Sequence, residues 1–406
     1  MKISANILPL ALAAAVLGVA ACSKEAPSSD ATAPIIIRFG HAAPLTGPQA
    51  HLGKDNENGA RLAVEDANAA NLTFGGRAVK FELLSEDDQS DPRQGNLVAQ
   101  KFVDAKVNAV IGHLNSGTTI PASRLYANAG IPQVSPSATN PTYTDQGFKT
   151  AFRVMANDVQ QGKVLGNYAV NTLHAKTIAV IDDKTAYGEG LATEFKKAAV
   201  AAGATVVAEE HTDDKSVDFK SILTTIKGKQ PDLIFFGGMD PQAAPMARQI
   251  KQLGVPAKFM LGDGGCNADF MKNAADASAG IYCSLPGVPL AKMAGGAKFS
   301  ERYQARFKAS IQSYAPYAYD AAMVLIEAAK RAQSGEPARI LAELPKTDYN
   351  GVTAHILFDA KGDLKDGVIS MYIGKNGAWE PLETISTTAP QEDLLRGVSP
   401  APTFTK

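Results

Sequence analysis

Short apolar segments alternate with longer amphipathic segments along most of this 406-residue chain. From Ile35 onward, the strand-like segments IIIRFGHAAP, VKFELLSEDD and VNAVIGHL are separated by segments such as NGARLAVEDANAAN, whose apolar residues have helical spacing. After FRVMANDVQQG the alternation starts again with KTIAVIDD and continues through DLIFFGGM and AKFMLGDGG. The pattern predicts an α/β fold of two doubly wound, Rossmann-like lobes, each with a parallel sheet covered on both faces.

The last third of the chain departs from this alternation. FSERYQARFKAS and YAYDAAMVLIEAAKRAQSG are typical of helices, whereas HILFDAKGDLKDGVISMYIGKNG is typical of strands joined by turns that contain glycine. Such a segment would be unusual as a free third domain. We expect it to return along the molecule and complete both lobes.

The N-terminus has the features of an export signal. Met1 and Lys2 precede the apolar stretch ILPLALAAAVLGVAAC, which predicts a signal peptide over residues 1–21. The residues before Cys22 resemble the lipobox of bacterial lipoproteins, in which the cysteine is acylated; the alternative is ordinary cleavage after Ala21. The polar segment that follows predicts a flexible tether over residues 22–34. We therefore expect a periplasmic or other extracytoplasmic location, with an N-terminal lipid anchor in the membrane.

Three cysteines are present, and two remain if Cys22 carries lipid. In an oxidising compartment an even remainder favours a disulfide, here between Cys266 and Cys283. The alternative is a pair of small, unpaired core residues.

The sequence gives little support to catalysis or to nucleic-acid binding. A formal net charge of −1 provides no basic surface for nucleic acid. The six histidines are scattered without the spacing of metal ligands, and neither a nucleophile elbow nor a phosphate-binding loop motif is present. The stretch YGEG approaches a dinucleotide fingerprint, but Thr193 occupies the place of its third glycine. We predict a non-enzyme without metal or cofactor.

Polar residues follow the predicted strands. The strand ends carry HLNSGTT, VSPSATNP, DDKTAYGEG, FFGGMDPQ and LGDGGCN, and ligands of open α/β sheets bind at such ends. At the first of them, Asn115, Ser116, Thr118 and Thr119 surround the predicted start of a helix. They either cap that helix or, with its free N–H groups, form a seat for an anion.

Several of these motifs resemble the type I periplasmic binding proteins of branched-chain amino acid ABC transporters, the leucine/isoleucine/valine-binding protein family. The resemblance rests on PLTGPQAHLG, DDQSDPRQ, VIGHLNSGTTIPAS, SPSATNP, DKTAYGEGLA, DFKSIL, FFGGMDPQ and FDAKGDL, in that order. It implies two lobes joined by crossover hinge strands, with the ligand in the cleft between them. The expected lobes are residues 35–154 with 286–357, and residues 155–285 with 358–406.

The resemblance also implies roles for individual residues. Hydroxyls of Ser116 and Thr139, together with backbone groups near Ser137 and Ala138, would hold the α-carboxylate of an amino acid. From the second lobe, Tyr187 would close over the ligand and Asp263 would face its α-ammonium. The complete expected set is Leu52, Asn115, Ser116, Ser137, Ala138, Thr139, Tyr187, Met239 and Asp263.

The chain departs from the leucine-type pattern at several of these positions. Leu52 and Met239 replace aromatic residues, Asp263 replaces a longer Glu, and the disulfide of some members is absent because Ser90 and Asn115 stand in its place. For Asp263 there is a second interpretation, in which it is a turn aspartate that caps a helix beginning near Asn267.

The resulting functional hypothesis is an extracytoplasmic solute-binding protein. It would capture a small, aliphatic or branched-chain amino acid by lobe closure and deliver it to the membrane permease of an ABC importer. A sensory receptor with the same fold is the alternative, and neighbouring permease and ATPase genes would distinguish the two. A Rossmann-type oxidoreductase is more remote and would show a nicotinamide or flavin absorbance.

Overall fold

Two β-sheets form the frame of the molecule in a computed structural model that describes residues 33–388. The predicted signal peptide, Cys22 and most of the tether lie outside the described residues. The first sheet has six strands in the order β2-β3-β1-β4-β5-β6, all parallel except the short β2. Its strands are β1 (Ile35–Ala43), β2 (Thr73–Phe74), β3 (Arg77–Asp87), β4 (Ala109–Gly112), β5 (Gln133–Ser135) and β6 (Ala151–Arg153).

The second sheet has seven strands in the order β15-β14-β11-β10-β9-β7-β8. Strands β7 to β11 are mutually parallel, and β14 and β15 are added antiparallel at one edge. Its strands are β7 (Thr177–Asp182), β8 (Thr205–His211), β9 (Leu233–Gly237), β10 (Lys258–Leu261), β11 (Tyr282–Pro286), β14 (Val368–Lys375) and β15 (Ala378–Ser386). A separate hairpin pairs β12 (Asp348–Asn350) with β13 (His355–Leu357).

Helices cover both sheets, and each sheet with its helices is called a lobe below. The first lobe has α1 (Ala50–Ala69), α2 (Pro92–Asp104), α3 (Ser116–Ala129), α4 (Thr142–Asp145), α10 (Gly296–Phe307), α11 (Ala315–Ala332) and α12 (Pro337–Glu343). The second lobe has α5 (Asp158–Asn167), α6 (Ala186–Ala201), α7 (Lys220–Lys229), α8 (Asp240–Gln252) and α9 (Ala268–Ala274), and a π-helical turn, Tyr168–Thr172, extends α5.

Local sequence signals explain where several helices begin and end. Asp91 caps α2 by accepting hydrogen bonds from the backbone N–H groups of its first turn, and a proline occupies the start of that helix. Asn157 and Gln160 form a reciprocal capping box at the start of α5. Helix α3 ends at Gly130, whose φ of 67° lies in the left-handed region that glycine adopts without strain.

The structure confirms the predicted fold class of two doubly wound lobes. The segment after β11 returns to both lobes: α11 packs on α1 in the first, and β14 pairs with β11 in the second. Several elements were not predicted. For example, FRVMANDVQQG contains most of β6 and the start of α5, and AWEPLETIS forms β15. Within residues 33–388, no helix has the length and apolarity that crossing a membrane would require.

Candidate functional site

A small cavity lies where the carboxyl ends of the two sheets face each other. In the first sheet, β3 and β4 flank β1 on opposite sides, and in the second, β8 and β9 flank β7 in the same way. Such reversals of strand order open a crevice at the carboxyl ends of the strands. The cavity there is narrow, with a volume of about 10 Å³, and is lined by Leu114, Asn115, Ser116, Ser137, Tyr187, Met239, Asp263 and Tyr314.

Asp263 provides the negative charge of the cavity. Its carboxylate is 2% exposed, and its Oδ1 accepts hydrogen bonds from the Tyr187 hydroxyl at 2.8 Å and from Gln161 Nε2 at 3.1 Å. Its Oδ2 accepts a hydrogen bond from the Tyr314 hydroxyl at 2.8 Å. Burial raises the pKa of Asp263, and the hydrogen bonds from the two tyrosines oppose that shift. Because Tyr314 belongs to the first lobe, this carboxylate also connects the two lobes.

The capping interpretation of Asp263 is wrong. Helix α9 is capped by Asn267, whose side-chain oxygen accepts a hydrogen bond from the Phe270 backbone N–H at 2.9 Å. The Asp263 side chain is instead turned toward Tyr187 and Tyr314. A carboxylate held in this way does not cap a helix terminus.

The glycine after Asp263 permits a close approach of backbone to the cavity wall. A Cβ atom on Gly264 would lie 2.6 Å from Met239 Sδ and 2.8 Å from the Gly238 carbonyl oxygen. Gly264 N–H donates to the Tyr187 hydroxyl at 2.9 Å. A side chain at this position would therefore displace Met239 and Tyr187, which both line the cavity.

The opposite wall is the start of α3, and it is neutral. Asn115 has an extended backbone conformation and makes no side-chain cap; its amide donates instead to Gln49 Oε1 at 2.8 Å. The hydroxyls of Thr118 and Thr119 donate to the Asn115 carbonyl oxygen. Ser116 Oγ accepts from the Asn140 backbone N–H at 3.2 Å. The hydroxyls of the two threonines thus form hydrogen bonds within the first turn of the helix, whereas Asn115 and Ser116 line the cavity.

Two further buried groups lie close to this wall. The Thr139 hydroxyl and the Asp158 carboxyl are buried next to each other, and apart from the contact between these two side chains their oxygens have no hydrogen-bond partner among the described residues. Burial raises the pKa of Asp158 well above its usual value and the charge of nearby Asp263 raises it further, whereas the hydrogen bond with Thr139 lowers it. Buried polar groups with so few partners are rare in folded proteins, so this pair can also bind a ligand or a water molecule.

A fully buried arginine holds the loop that carries Ser137. Arg153 Nε donates to Asp363 Oδ1 at 2.7 Å, and its Nη1 donates to the carbonyl oxygens of Ala138 at 2.8 Å and Asn140 at 3.0 Å. The guanidinium thereby fixes the loop after β5 in a single position. Its partner Asp363 lies between β13 and β14, where the chain passes from the first lobe to the second.

Six of the nine predicted binding residues line the cavity. Leu52, Ala138 and Thr139 are fully buried but are not among its lining residues. Sequence analysis missed Leu114, which directly precedes Asn115, and Tyr314, which is distant along the chain. It also missed Gln161, which donates a hydrogen bond to Asp263, and the buried residues Asp158 and Arg153, which lie behind the lining residues.

Cys266 and Cys283 are joined in a disulfide, with their Cα atoms 5.6 Å apart. Cys266 follows the Asp263 turn, and Cys283 lies in β11, the neighbour of β10 in the sheet. The bridge therefore ties the Asp263 turn to the sheet. Among residues 33–388, no group of three or more His, Cys, Asp or Glu side chains is placed to hold a metal ion.

Comparisons with known proteins agree with this architecture. Residues 36–377 match the family model of the periplasmic binding proteins. The chain is 36% identical over 362 residues to Leu/Ile/Val-binding protein homolog 1 of Brucella abortus, covering 89% of this chain and 96% of that protein. It is 33% identical to the leucine-, isoleucine-, valine-, threonine- and alanine-binding protein of Pseudomonas aeruginosa, covering 83% of this chain and 89% of that protein.

Solved structures are similar over the same length. A leucine-binding protein of Thermotoga maritima superposes with a TM-score of 0.80 at 27% identity, covering 86% of this chain and 98% of the other. A branched-chain amino acid transporter substrate-binding protein of Streptococcus pneumoniae, solved with isoleucine, superposes with a TM-score of 0.79 at 29% identity, covering 86% and 99%. Such proteins are binding components of transporters and not enzymes. The chain therefore belongs to the periplasmic binding protein family, among the type I substrate-binding proteins of branched-chain amino acid transporters.

Proposed function

We propose that this protein captures a small aliphatic α-amino acid between its lobes and delivers it to the membrane permease of an ABC importer. The observation that carries the proposal is the separation of charge across the cavity. One wall presents the buried carboxylate of Asp263, and the other presents the N-terminus of a 14-residue helix, α3, with Ser116 beside it. A zwitterion oriented between them would satisfy both walls.

The ammonium group would lie on the Asp263 side. Asp263 supplies the charge and Tyr187 closes over the ligand, while Asp158 lies close enough for the charge of Asp263 to raise its pKa, which favours a neutral Asp158 carboxyl. In a dry cavity such charge-assisted hydrogen bonds are stronger than in water.

The carboxylate would lie at the start of α3. Ser116 and Ser137 line this side, and behind them the buried hydroxyl of Thr139 has no hydrogen-bond partner other than the neighbouring Asp158 carboxyl. Backbone N–H groups near Ala138 and Asn115 complete the proposed anion site, in which the helix start contributes its own partial positive charge.

Apolar side chains would select the ligand side chain. Leu114 and Met239 line the cavity, and Leu52 is fully buried in the first lobe. The relative in Pseudomonas aeruginosa is named for binding leucine, isoleucine, valine, threonine and alanine, and the protein of Streptococcus pneumoniae was solved with isoleucine. Both support this ligand class.

Family membership places the protein outside the cytoplasm, and we propose the details of its attachment from the sequence. Residues 1–21 would be removed as a signal peptide, Cys22 would carry lipid, and residues 22–34 would form the tether. The proposed lobes are 35–154 with 286–357, and 155–285 with 358–406. Cys22→Ala should release the protein from membranes or leave it unprocessed; a wild-type protein that is wholly soluble would refute the anchor.

The proposed ligand class is tested without assuming a ligand. Protein purified from its natural host is denatured, and the released small molecules are identified by mass spectrometry. Protein stripped of ligand is then titrated calorimetrically with the molecule found and with L-leucine, L-alanine and L-glutamate. An aliphatic amino acid that is released and rebinds with a Kd on the order of micromolar or below supports the proposal. Release of a molecule without an α-amino group would refute it.

A further inference from the structure

A histidine hydrogen-bonded to a buried aspartate joins the two lobes. His51, at the start of α1 in the first lobe, has its Nε2 2.9 Å from Oδ2 and 3.0 Å from Oδ1 of Asp240, the first residue of α8 in the second. Its Nδ1 lies 3.9 Å from Oδ2 of Asp269 in α9. These three residues are called the interlobe cluster below.

The cluster is adjacent in sequence to the residues proposed to hold the ligand side chain. His51 directly precedes Leu52, and Asp240 directly follows Met239. Asp240 is 1% exposed, so its carboxylate depends on its few partners: His51, and the Asn267 amide at 3.0 Å. Separation of the lobes would remove His51 from both aspartates.

Three carboxylates face the imidazole: Asp240 on α8, Asp269 on α9 and Asp55 on α1 itself. Burial lowers the pKa of His51, but the hydrogen bond that His51 donates to Asp240 and the three negative charges outweigh burial and raise the pKa above the ordinary 6.5. Burial raises the pKa of Asp240, and the His51 contact opposes that shift. The geometry is therefore that of a cationic imidazole between two acids of the opposite lobe.

We propose that the interlobe cluster is a proton-controlled latch, which stabilises the closed lobes when His51 is protonated and so holds the ligand more tightly at lower pH. The latch rests on the proposed function, because it acts on lobe closure around a ligand.

The direction in which affinity changes with pH follows from the linkage between protonation of His51 and lobe closure. In the open form His51 is separated from Asp240 and Asp269, so its pKa there is lower than in the closed form, and closure takes up a proton. The stabilisation is fully present below the open-form pKa and is lost as pH rises through the closed-form pKa. Protonation of Asp263 at low pH would weaken binding, which is the opposite direction.

The test is calorimetric titration with L-leucine between about pH 5.5 and about 8.5 at constant ionic strength. For the wild type we expect affinity to fall as pH rises, by up to about tenfold per pH unit at the steepest point, and binding near neutral pH to take up a fraction of a proton. His51→Gln should abolish both the pH dependence and the proton uptake. A wild-type affinity that does not change with pH, or a His51→Gln variant that retains the dependence, would overturn the latch.

A matched control is available in the second lobe. His211 Nδ1 lies 2.8 Å from Asp182 Oδ2, but both residues belong to the same sheet and the pair does not cross the cleft. His211→Gln should keep the wild-type pH dependence of affinity. Loss of that dependence in the control would show that the effect is not specific to the interlobe pair.

A second measurement separates failure of the latch from failure of the proposed ligand class. The imidazole of His51 is titrated by NMR in wild type and in Asp240→Asn, each saturated with the molecule that the denatured natural protein releases. The His51 pKa should be above 6.5 in the wild type and should fall toward 6.5 in the variant. Equal values would overturn the latch. If L-leucine does not bind at any pH, the proposed ligand class fails, and this titration alone decides the latch.

Discussion

Two buried aspartates, Asp263 at the cavity and Asp320 in the middle of α11, each accept three hydrogen bonds but from different kinds of donor. Asp320 accepts from the backbone N–H groups of Val352 and Thr353 at 2.8 and 2.7 Å, and from the Thr353 hydroxyl at 2.5 Å. A Cβ on Gly351 would lie 2.5 Å from its carboxylate, so backbone encloses it.

The donors that reach Asp263 from other elements are all side chains: Tyr187, Gln161 and, from the other lobe, Tyr314. Backbone donors fix a carboxylate in a single folded arrangement, and removing it damages the fold. Side-chain donors from separate elements can rearrange when a charged ligand arrives. Burial of a charged group therefore does not by itself identify a binding site. The kind of hydrogen-bond donor that holds the group, backbone or side chain, is the better guide.

The largest expected effect is on ligand binding by Asp263→Asn. The substitution keeps the shape of the side chain but leaves the bound ammonium without its counter-charge, which costs roughly 3–5 kcal/mol of binding free energy. The affinity for the amino acid should fall by two to three orders of magnitude or more in calorimetric titration. Thermal stability of the ligand-free protein should change little. An Asn variant that binds within threefold of the wild type would contradict the assignment.

Asp320→Asn is the matched control for that variant. Its amide group would face backbone donors, so the free energy of unfolding should fall by roughly 1–3 kcal/mol. Ligand affinity of the folded fraction should stay within threefold of the wild type. A large loss of affinity in Asp320→Asn, measured under conditions where the protein is fully folded, would remove the distinction between the two aspartates.

The disulfide beside Asp263 has the next largest expected effect. Cys266 and Cys283 are separated by 17 positions, and closing a loop of this size contributes on the order of 3 kcal/mol in the chain-entropy model. Replacement of both cysteines by alanine should lower the free energy of unfolding by about that amount, measured with urea. Two titratable thiols in the unfolded, unreduced wild-type protein would refute the bridge.

The contribution of Asp320 to the free energy of unfolding should depend on pH. Burial raises its pKa from 3.8 to about 6, so the folded state retains a proton that the unfolded state has lost. The contribution of Asp320 to stability therefore falls as pH rises through this window, by roughly 2 kcal/mol between about pH 4.5 and about 6.5. Urea unfolding of wild type and Asp320→Asn at both pH values should show a smaller decrease in the variant. Equal decreases in the free energy of unfolding of the two proteins would contradict the raised pKa of Asp320.

The smallest expected effect concerns ligand size. Met239 lines the cavity beside Asp263, and Met239→Ala would enlarge its apolar end. The ratio of the affinity for L-leucine to that for L-alanine should rise severalfold, corresponding to about 1 kcal/mol. An unchanged ratio would place the ligand side chain elsewhere in the cleft.

The sequence predicted those parts of the site that follow strands within one local motif. Asn115, Ser116, Met239 and Asp263 lie just after β4, β9 and β10, so the alternation of elements was enough to bring them to one crevice. Tyr314 could not be found in this way, because it is 51 residues from Asp263 and belongs to the returning segment. No local pattern marks a phenol that points across a cleft.

The parts of the fold that were missed have physical reasons as well. β15 is an edge strand with mostly exposed residues, so its sequence AWEPLETIS has too few apolar residues for a buried strand. The contact between His51 and Asp240 spans 189 positions and depends on how the two lobes meet. Pairings of this kind are fixed by tertiary packing and leave no periodic signal.

If the cavity binds a zwitterion through opposite charges on its two walls, binding should depend on the ammonium group of the ligand. Protein stripped of ligand is titrated with L-leucine and with 4-methylpentanoate, which is leucine without its ammonium group. The account predicts that L-leucine binds and that 4-methylpentanoate binds at least about a hundredfold more weakly, since Asp263 would then repel the ligand or remain unpaired. Binding of 4-methylpentanoate as tight as that of L-leucine would contradict the account.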